Sequence, residues 1–151
     1  IEDKVMSLKN TMFLIILLLI VSVVFINFNK NTNNRWYTEE QVSIGKKIFL
    51  KNCASCHGIK AEKTVDWMKT LPDGSYPPPP LNENAHAWHH PKWQLMQIIT
   101  EGGAPYNGKM PAFKDSLSKE EKEATISYFQ SFWSDKIYKI WLDSRKGLKD
   151  K

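Results

Sequence analysis

Two cysteines and a histidine form the most chemically distinctive cluster in this sequence. Cys53 and Cys56 are the only cysteines among the 151 residues, and His57 follows directly. The pattern C-x-x-C-H is a signature of covalent haem attachment. Two thiols one helical turn apart can each form a thioether to one edge of a porphyrin, and the next imidazole can reach the iron from the same side. We therefore predict one covalent haem c, tethered by Cys53 and Cys56, with His57 as an axial iron ligand.

Two other chemistries use paired cysteines, and the sequence favours neither. A redox-active C-x-x-C dithiol needs no following histidine and is expected in a β-α-β context, which the pattern here does not indicate. A structural zinc site needs a second pair of nitrogen or sulfur ligands at ordinary spacing. The chain has no further cysteine to supply that pair.

The charge distribution bears on the kind of partner. The formal net charge is +5, but the lysines are scattered and interleaved with aspartate and glutamate, so no basic stripe forms. This pattern argues against nucleic acid and fits an acidic protein partner or a solvated surface.

An almost wholly apolar stretch, Met12 to Phe28, lies near the start and is interrupted only by Ser22 and Asn27. Its length is at the lower limit for a membrane-spanning helix. The preceding Lys4 and Lys9 are typical of a signal sequence or signal anchor, and the end of the run lacks the small residues of a cleavage site. We predict an uncleaved single transmembrane anchor; a removed signal peptide and a buried core helix are the alternatives.

Local signals predict helices and no trustworthy strand, so we expect an all-α fold. Thr38 and Gln41 form a capping box that opens a helix towards Cys53. Gly45 inside this helix is either the site of a close helix crossing or a tolerated glycine. A second helix should have Pro91 in its first turn and end at Gly102-Gly103. Another capping box, at 118–121, opens a further helix, and an amphipathic tail containing Ile137, Ile140, Trp141 and Leu142 follows.

The segment around residues 37–133 resembles the class I c-type cytochromes. The resemblance depends on a helix ending in the cysteine motif, a proline–leucine pair, a Met-Pro loop and a C-terminal amphipathic helix, in that order. It implies a small helical domain around one haem. The expected organisation is a short tail (1–11), the anchor (12–28), a polar linker (29–36), the cytochrome c domain (37–133), and a helical extension with a charged tail (134–151).

The resemblance also assigns roles to individual residues. Pro79 would offer its carbonyl oxygen to the Nδ1–H of His57, and Leu81 would pack on the haem. Gly45 and Phe49 would meet the last helix near Tyr128 and Phe129. Met110, in its loop before Pro111, would be the second axial iron ligand, giving the His/Met pair that raises a haem potential.

Several residues compete with Met110 for the iron. Met6 and Met12 precede or enter the apolar stretch, Met96 lies on the apolar stripe of a helix, and Met68 follows His57 closely. His86, His89 and His90 could instead supply a second haem ligand or a copper or zinc site. No thiol lies nearby in sequence to complete a metal set, which favours a polar loop.

The resemblance implies an electron carrier rather than an enzyme. Because haem of this class is attached outside the cytoplasm, the domain would face the periplasm from a bacterial inner membrane. There it would pass single electrons between acidic redox partners such as an oxidase or a cytochrome bc-type complex. The alternatives are a permanent subunit of a respiratory complex, and a haem- or copper-binding sensor or enzyme.

Overall fold

The structure is a computed structural model that describes residues 12–19 and 35–145. The chain divides into two compact units, Ile1–Trp36 and Tyr37–Lys151. In the first unit, residues 12–19 form an α-helix (α1) with exposed side chains. Among the described residues, no helix combines the length and the apolar character needed to cross a membrane. The predicted tail, the rest of the apolar stretch, most of the linker and the last six residues lie outside the described part.

The second unit begins with the helix that carries the cysteine motif. Helix α2 spans Glu39–Asn52 and starts at the predicted capping box. The N–H of Gln41 donates to Thr38 Oγ1 at 3.2 Å, and the N–H of Thr38 donates to Gln41 Oε1 at 2.9 Å. A short helix, α3 (Ala54–His57), follows at once.

Two longer helices follow. Helix α4 spans Lys92–Glu101, and α5 spans Lys119–Gln130. Ser118 caps α5 with the predicted reciprocal bonds to Glu121. Pro91 differs from expectation, because it precedes α4 as its N-cap with an extended ψ of 158° rather than forming the first turn.

Helices α2 and α5 cross at the centre of the unit, as predicted. A Cβ placed on Gly45 would overlap the carbonyl group of Ala124, so the two backbones are in direct contact. The rings of Phe49 and Tyr128 lie 5.2 Å apart. Phe49 is fully buried, and Phe129 nearly so.

The last described helix, α6 (Asp135–Arg145), extends the core beyond the predicted domain. Its buried residues are Tyr138 and Trp141, whereas Ile140 is 43% exposed. The predicted apolar face was therefore partly wrong: the aromatic rings, packed on Tyr37 and Trp133, define the buried side. Every element among the described residues is helical, with one isolated bridge between Tyr76 and Gly108.

Candidate haem site

The junction of α2 and α3 presents the cysteine motif. Cys53 ends α2 and caps α3, and its carbonyl oxygen accepts from the N–H groups of Cys56 and His57 at 3.1 and 2.9 Å. One tight turn therefore carries all three side chains. Cys56 is exposed and Cys53 half-buried, and both are free thiols. The thiols are thus available for covalent attachment to a group that approaches this turn.

The ionisation of Cys53 argues against a redox dithiol. Burial, together with the neighbouring Cys56, raises the pKa of the Cys53 thiol from 9.0 to about 11. A redox-active C-x-x-C pair depends instead on a thiol whose pKa is lowered, because the thiolate is the nucleophile. Cys53 therefore lacks the lowered pKa that marks the nucleophile of a redox pair.

His57 is held in one orientation and one tautomer. Its ring is only 6% exposed, and Nδ1 lies 2.8 Å from the carbonyl oxygen of Pro79. Because a carbonyl only accepts, Nδ1 carries the proton and Nε2 keeps its lone pair. Burial also lowers the pKa of the imidazole, against the opposing effect of the bond to Pro79. His57 is thus a neutral imidazole whose Nε2 lone pair could bind a metal, and the contact with Pro79 is the one that the resemblance implied.

The proline–leucine segment is fixed on both sides. The N–H groups of Leu81 and Asn82 donate to the carbonyl oxygen of Ala61 at 2.8 and 3.2 Å. The carbonyl oxygen of Leu81 accepts from Trp133 Nε1 at 2.9 Å. These bonds set the position of Pro79 and hence the orientation of His57.

The methionine loop, residues 103–110, folds back on the end of α4. The N–H of Gly103 donates to the carbonyl oxygen of Met110 at 2.9 Å. Gly102 has φ +84°, and a Cβ there would lie 2.7 Å from the same oxygen, so only glycine fits this fold-back. Met110 is half-buried. The rival Met68 is 71% exposed, and Met12 60%.

The histidine cluster lies on a 3₁₀ turn, Ala87–His89. The ring of His86 stacks on Trp67 at 4.4 Å, and His90 Nδ1 lies 3.1 Å from Gln94 Oε1. No group of three His, Cys, Asp or Glu residues in the described part of the chain could hold a metal ion. The arrangement favours the reading of this cluster as a loop over a copper or zinc site.

Two buried nitrogens beside this turn are unusual. His86 Nδ1 and Trp88 Nε1 have no hydrogen-bond partner within the described residues. Buried polar atoms are normally paired, so these two nitrogens have hydrogen-bonding capacity left for a bound group or a water molecule. Haem fits the residues present. Its carboxylates can accept hydrogen bonds, its iron can bind an imidazole, and the edge of its porphyrin can bond to the two thiols. Sequence reasoning missed these two atoms, since burial of a nitrogen depends on tertiary neighbours.

Comparison with known proteins is consistent with this geometry. Residues 40–129 match the protein family described as cytochrome C oxidase, cbb3-type, subunit III. The matched range includes the cysteine motif, Pro79, Leu81 and Met110. The chain is also 30% identical over 96 residues to the Cbb3-type cytochrome c oxidase subunit FixP of Sinorhizobium medicae (strain WSM419).

The match to this relative is partial in length. It covers 60% of the present chain and 29% of the relative. No solved structure gives a significant match.

Proposed function

Because the chain belongs to the family described as cytochrome c oxidase, cbb3-type, subunit III, we propose that it transfers single electrons as a subunit of such an oxidase complex. As a member it is a class I c-type cytochrome that binds haem c covalently. The match over residues 40–129, which contain the site described above, is the observation that carries the proposal.

The residues of the site have distinct roles in this proposal. Cys53 and Cys56 would hold the haem through thioethers, and His57 Nε2 and the sulfur of Met110 would ligate its iron. Pro79 orients the imidazole through its carbonyl oxygen, 2.8 Å from Nδ1. Such a bond fixes the ring and makes the ligating nitrogen a stronger donor. Leu81 contributes an apolar contact to the haem.

Haem c supplies a one-electron couple between ferric and ferrous iron. The protein's part is to keep both axial positions filled, so that no open site is left for a substrate, and to limit water around the iron. A thioether favours ferrous iron and an imidazole held by a carbonyl favours ferric iron. With one ligand favouring each oxidation state, the proposed His57 and Met110 pair would let the iron both accept and give up an electron. This suits electron transfer rather than catalysis at the iron.

Exposed lysines support an acidic electron partner. They flank the cysteine motif in sequence and lie on α2 and on the segment after α3: Lys46, Lys47, Lys51, Lys60 and Lys63. Positive charges around a docking face steer an acidic protein and raise the association rate more than the affinity.

The membrane part of the proposal depends on Met12–Phe28. An uncleaved anchor there would hold the domain at a bacterial inner membrane, on the periplasmic side. Mass spectrometry of the native protein should then retain this stretch, and the protein should stay with membranes after a salt wash. A mature N-terminus beyond Phe28 in a soluble fraction would refute the anchor without affecting the haem domain.

Copurification tests the assignment to a complex. In mild detergent the chain should copurify in fixed ratio with the other oxidase subunits and retain covalent haem after acid–acetone extraction. The same apolar stretch also suits a second candidate, a tethered carrier that moves between complexes. A haem-loaded chain that purifies alone would favour the carrier, and extractable haem would contradict both.

A further inference from the structure

The loop between the cysteine motif and the prolines contains a compact turn, residues 71–76. The N–H of Gly74 donates to the carbonyl oxygen of Leu71, and the N–H of Leu71 donates to that of Ser75, both at 2.8 Å. The carboxylate of Asp73 accepts from the N–H and the hydroxyl of Ser75 at 3.0 and 2.6 Å. The turn is therefore closed by its own hydrogen bonds.

This turn is bound to the residues directly before Met110. The N–H of Tyr76 donates to the carbonyl oxygen of Asn107 at 2.8 Å, and Asn107 Nδ2 donates to that of Gly74 at 2.6 Å. The Lys109 ammonium pairs with the Asp73 carboxylate. Three separate bonds thus connect the 71–76 turn to Asn107 and Lys109, which lie three residues and one residue before Met110.

The methionine loop has hydrogen bonds of its own besides this outside support. Residues 104–107 are exposed, and Asn107 adopts a left-handed conformation with φ +56°. Within the loop, next to the Gly103–Met110 bond, the N–H groups of Tyr106 and Gly108 both donate to Gly103 O at 2.9 Å, and that of Asn107 donates to Ala104 O at 3.1 Å. An exposed segment that is held mainly by its own hydrogen bonds opens locally at low cost. Bonds from the 71–76 turn raise that cost.

We propose that the 71–76 turn is a clamp that holds Met110 on the iron, with Asn107 and Asp73 as positioning residues. The inference rests on the proposed role of Met110 as axial ligand. For the sulfur to leave the iron, the loop before it must move, and this strains the bonds of Asn107 and Lys109. The clamp thereby reduces replacement of Met110 by external ligands.

Two substitutions separate the contacts of the clamp. Asn107→Gly removes the amide that reaches Gly74 and keeps a residue suited to positive φ. Asp73→Asn removes the charge that pairs with Lys109 and keeps an oxygen for Ser75. Asp66→Asn is the matched control, because Asp66 forms a similarly exposed pair with Lys69 at 3.1 Å.

The test titrates the ferric, haem-loaded full chain with imidazole and follows loss of the sulfur–iron charge-transfer band. A lost hydrogen bond should increase the apparent imidazole affinity about fivefold in Asn107→Gly. The exposed ion pair contributes less, so Asp73→Asn should change the affinity about twofold and the double variant about tenfold. Asp66→Asn should bind imidazole like the wild type.

The outcomes separate the clamp from the ligand assignment. If the wild type shows the band and the double variant binds imidazole like the wild type, the clamp is wrong and the ligand assignment stands. If the wild type lacks the band, the ligand assignment is wrong and the clamp falls with it. A urea midpoint is measured in parallel. If Asp66→Asn gains as much imidazole affinity as Asp73→Asn, the clamp is refuted. It is also refuted if the imidazole affinity follows the urea midpoint across all variants, because the contacts of the 71–76 turn would then affect only overall stability.

Discussion

The carbonyl group of Ala124 occupies the space into which a side chain at Gly45 would project. The backbones of helices α2 and α5 are therefore in direct contact where the two helices cross. The cysteine motif follows at the C-terminal end of α2. The glycine weakens α2 locally, by about 1 kcal/mol relative to alanine. The close approach, which brings Phe49 against Tyr128, outweighs that cost.

Gly45→Ala should consequently destabilise the domain despite the better helix propensity of alanine. The added methyl must push the backbone of Ala124 away, and overpacking of this kind costs about 2–3 kcal/mol. Urea unfolding of the haem-loaded protein measures the loss. Ser43→Ala, on the exposed side of the same helix, should change the free energy of unfolding by less than about 0.5 kcal/mol. Equal midpoints for the two variants would contradict the role assigned to the crossing.

Met110 provides the second prediction. Since a neutral, soft thioether stabilises ferrous iron, replacing it should lower the reduction potential. Met110→His should keep a six-coordinate, low-spin haem at lower potential, and Met110→Ala should bind carbon monoxide or cyanide. Met96→Ala on α4 is the control and should leave the haem spectrum unchanged. Were Met110→Ala to keep the sulfur–iron band while a change at His86, His89 or His90 altered the spectrum, the ligand would have to be reassigned.

The third prediction concerns the helical extension. Trp141 Nε1 donates to the carbonyl oxygen of His90 at 2.9 Å, and Trp141 is buried. Trp141→Phe should lower the free energy of unfolding by about 2 kcal/mol, because the acceptor loses its partner and the core loses volume. The same change at Trp93, which is 51% exposed, should cost much less in the same urea experiment. A smaller effect at Trp141 than at Trp93 would show that α6 does not support the histidine turn.

Acid should weaken the start of the same extension. The hydroxyl and the backbone N–H of Ser134 lower the pKa of Glu83 below 4.5. A carboxylate with a lowered folded-state pKa contributes stability above its unfolded pKa and loses it as pH falls through the folded value. The stability difference between wild type and Glu83→Gln should therefore be constant near neutral pH and shrink below about pH 4.5.

Ser134→Ala tests that reasoning, because it removes the donor with the largest effect on the pKa of Glu83. In this background the Glu83→Gln change should alter the acid dependence less than in the wild type. Chemical unfolding at a series of pH values measures the effect of Glu83→Gln in the wild type and in the Ser134→Ala variant. A difference that grows as the pH falls would have the wrong sign and would exclude the contact as the cause.

The sequence determined the features that depend on neighbours along the chain. The spacing of Cys53, Cys56 and His57 requires only one helical turn, and the reciprocal bonds at Thr38 and Ser118 form within four residues. The helical character of the domain follows from the same local signals. A glycine inside a helix left both a close crossing and a tolerated glycine open, and it was the resemblance to class I c-type cytochromes that favoured the crossing at Gly45.

Tertiary structure decided what depends on distant partners. The buried side of α6 was predicted only in part: Trp141 was on the expected apolar face, whereas Tyr138 turns inwards because Tyr37 is there to receive it. The unpaired nitrogens of His86 and Trp88 became visible only through their burial. The bonds from the 71–76 turn to Asn107 and Lys109 join segments more than 30 residues apart. No local pattern encodes such contacts, because their free energy arises only after the helices have brought the loops together.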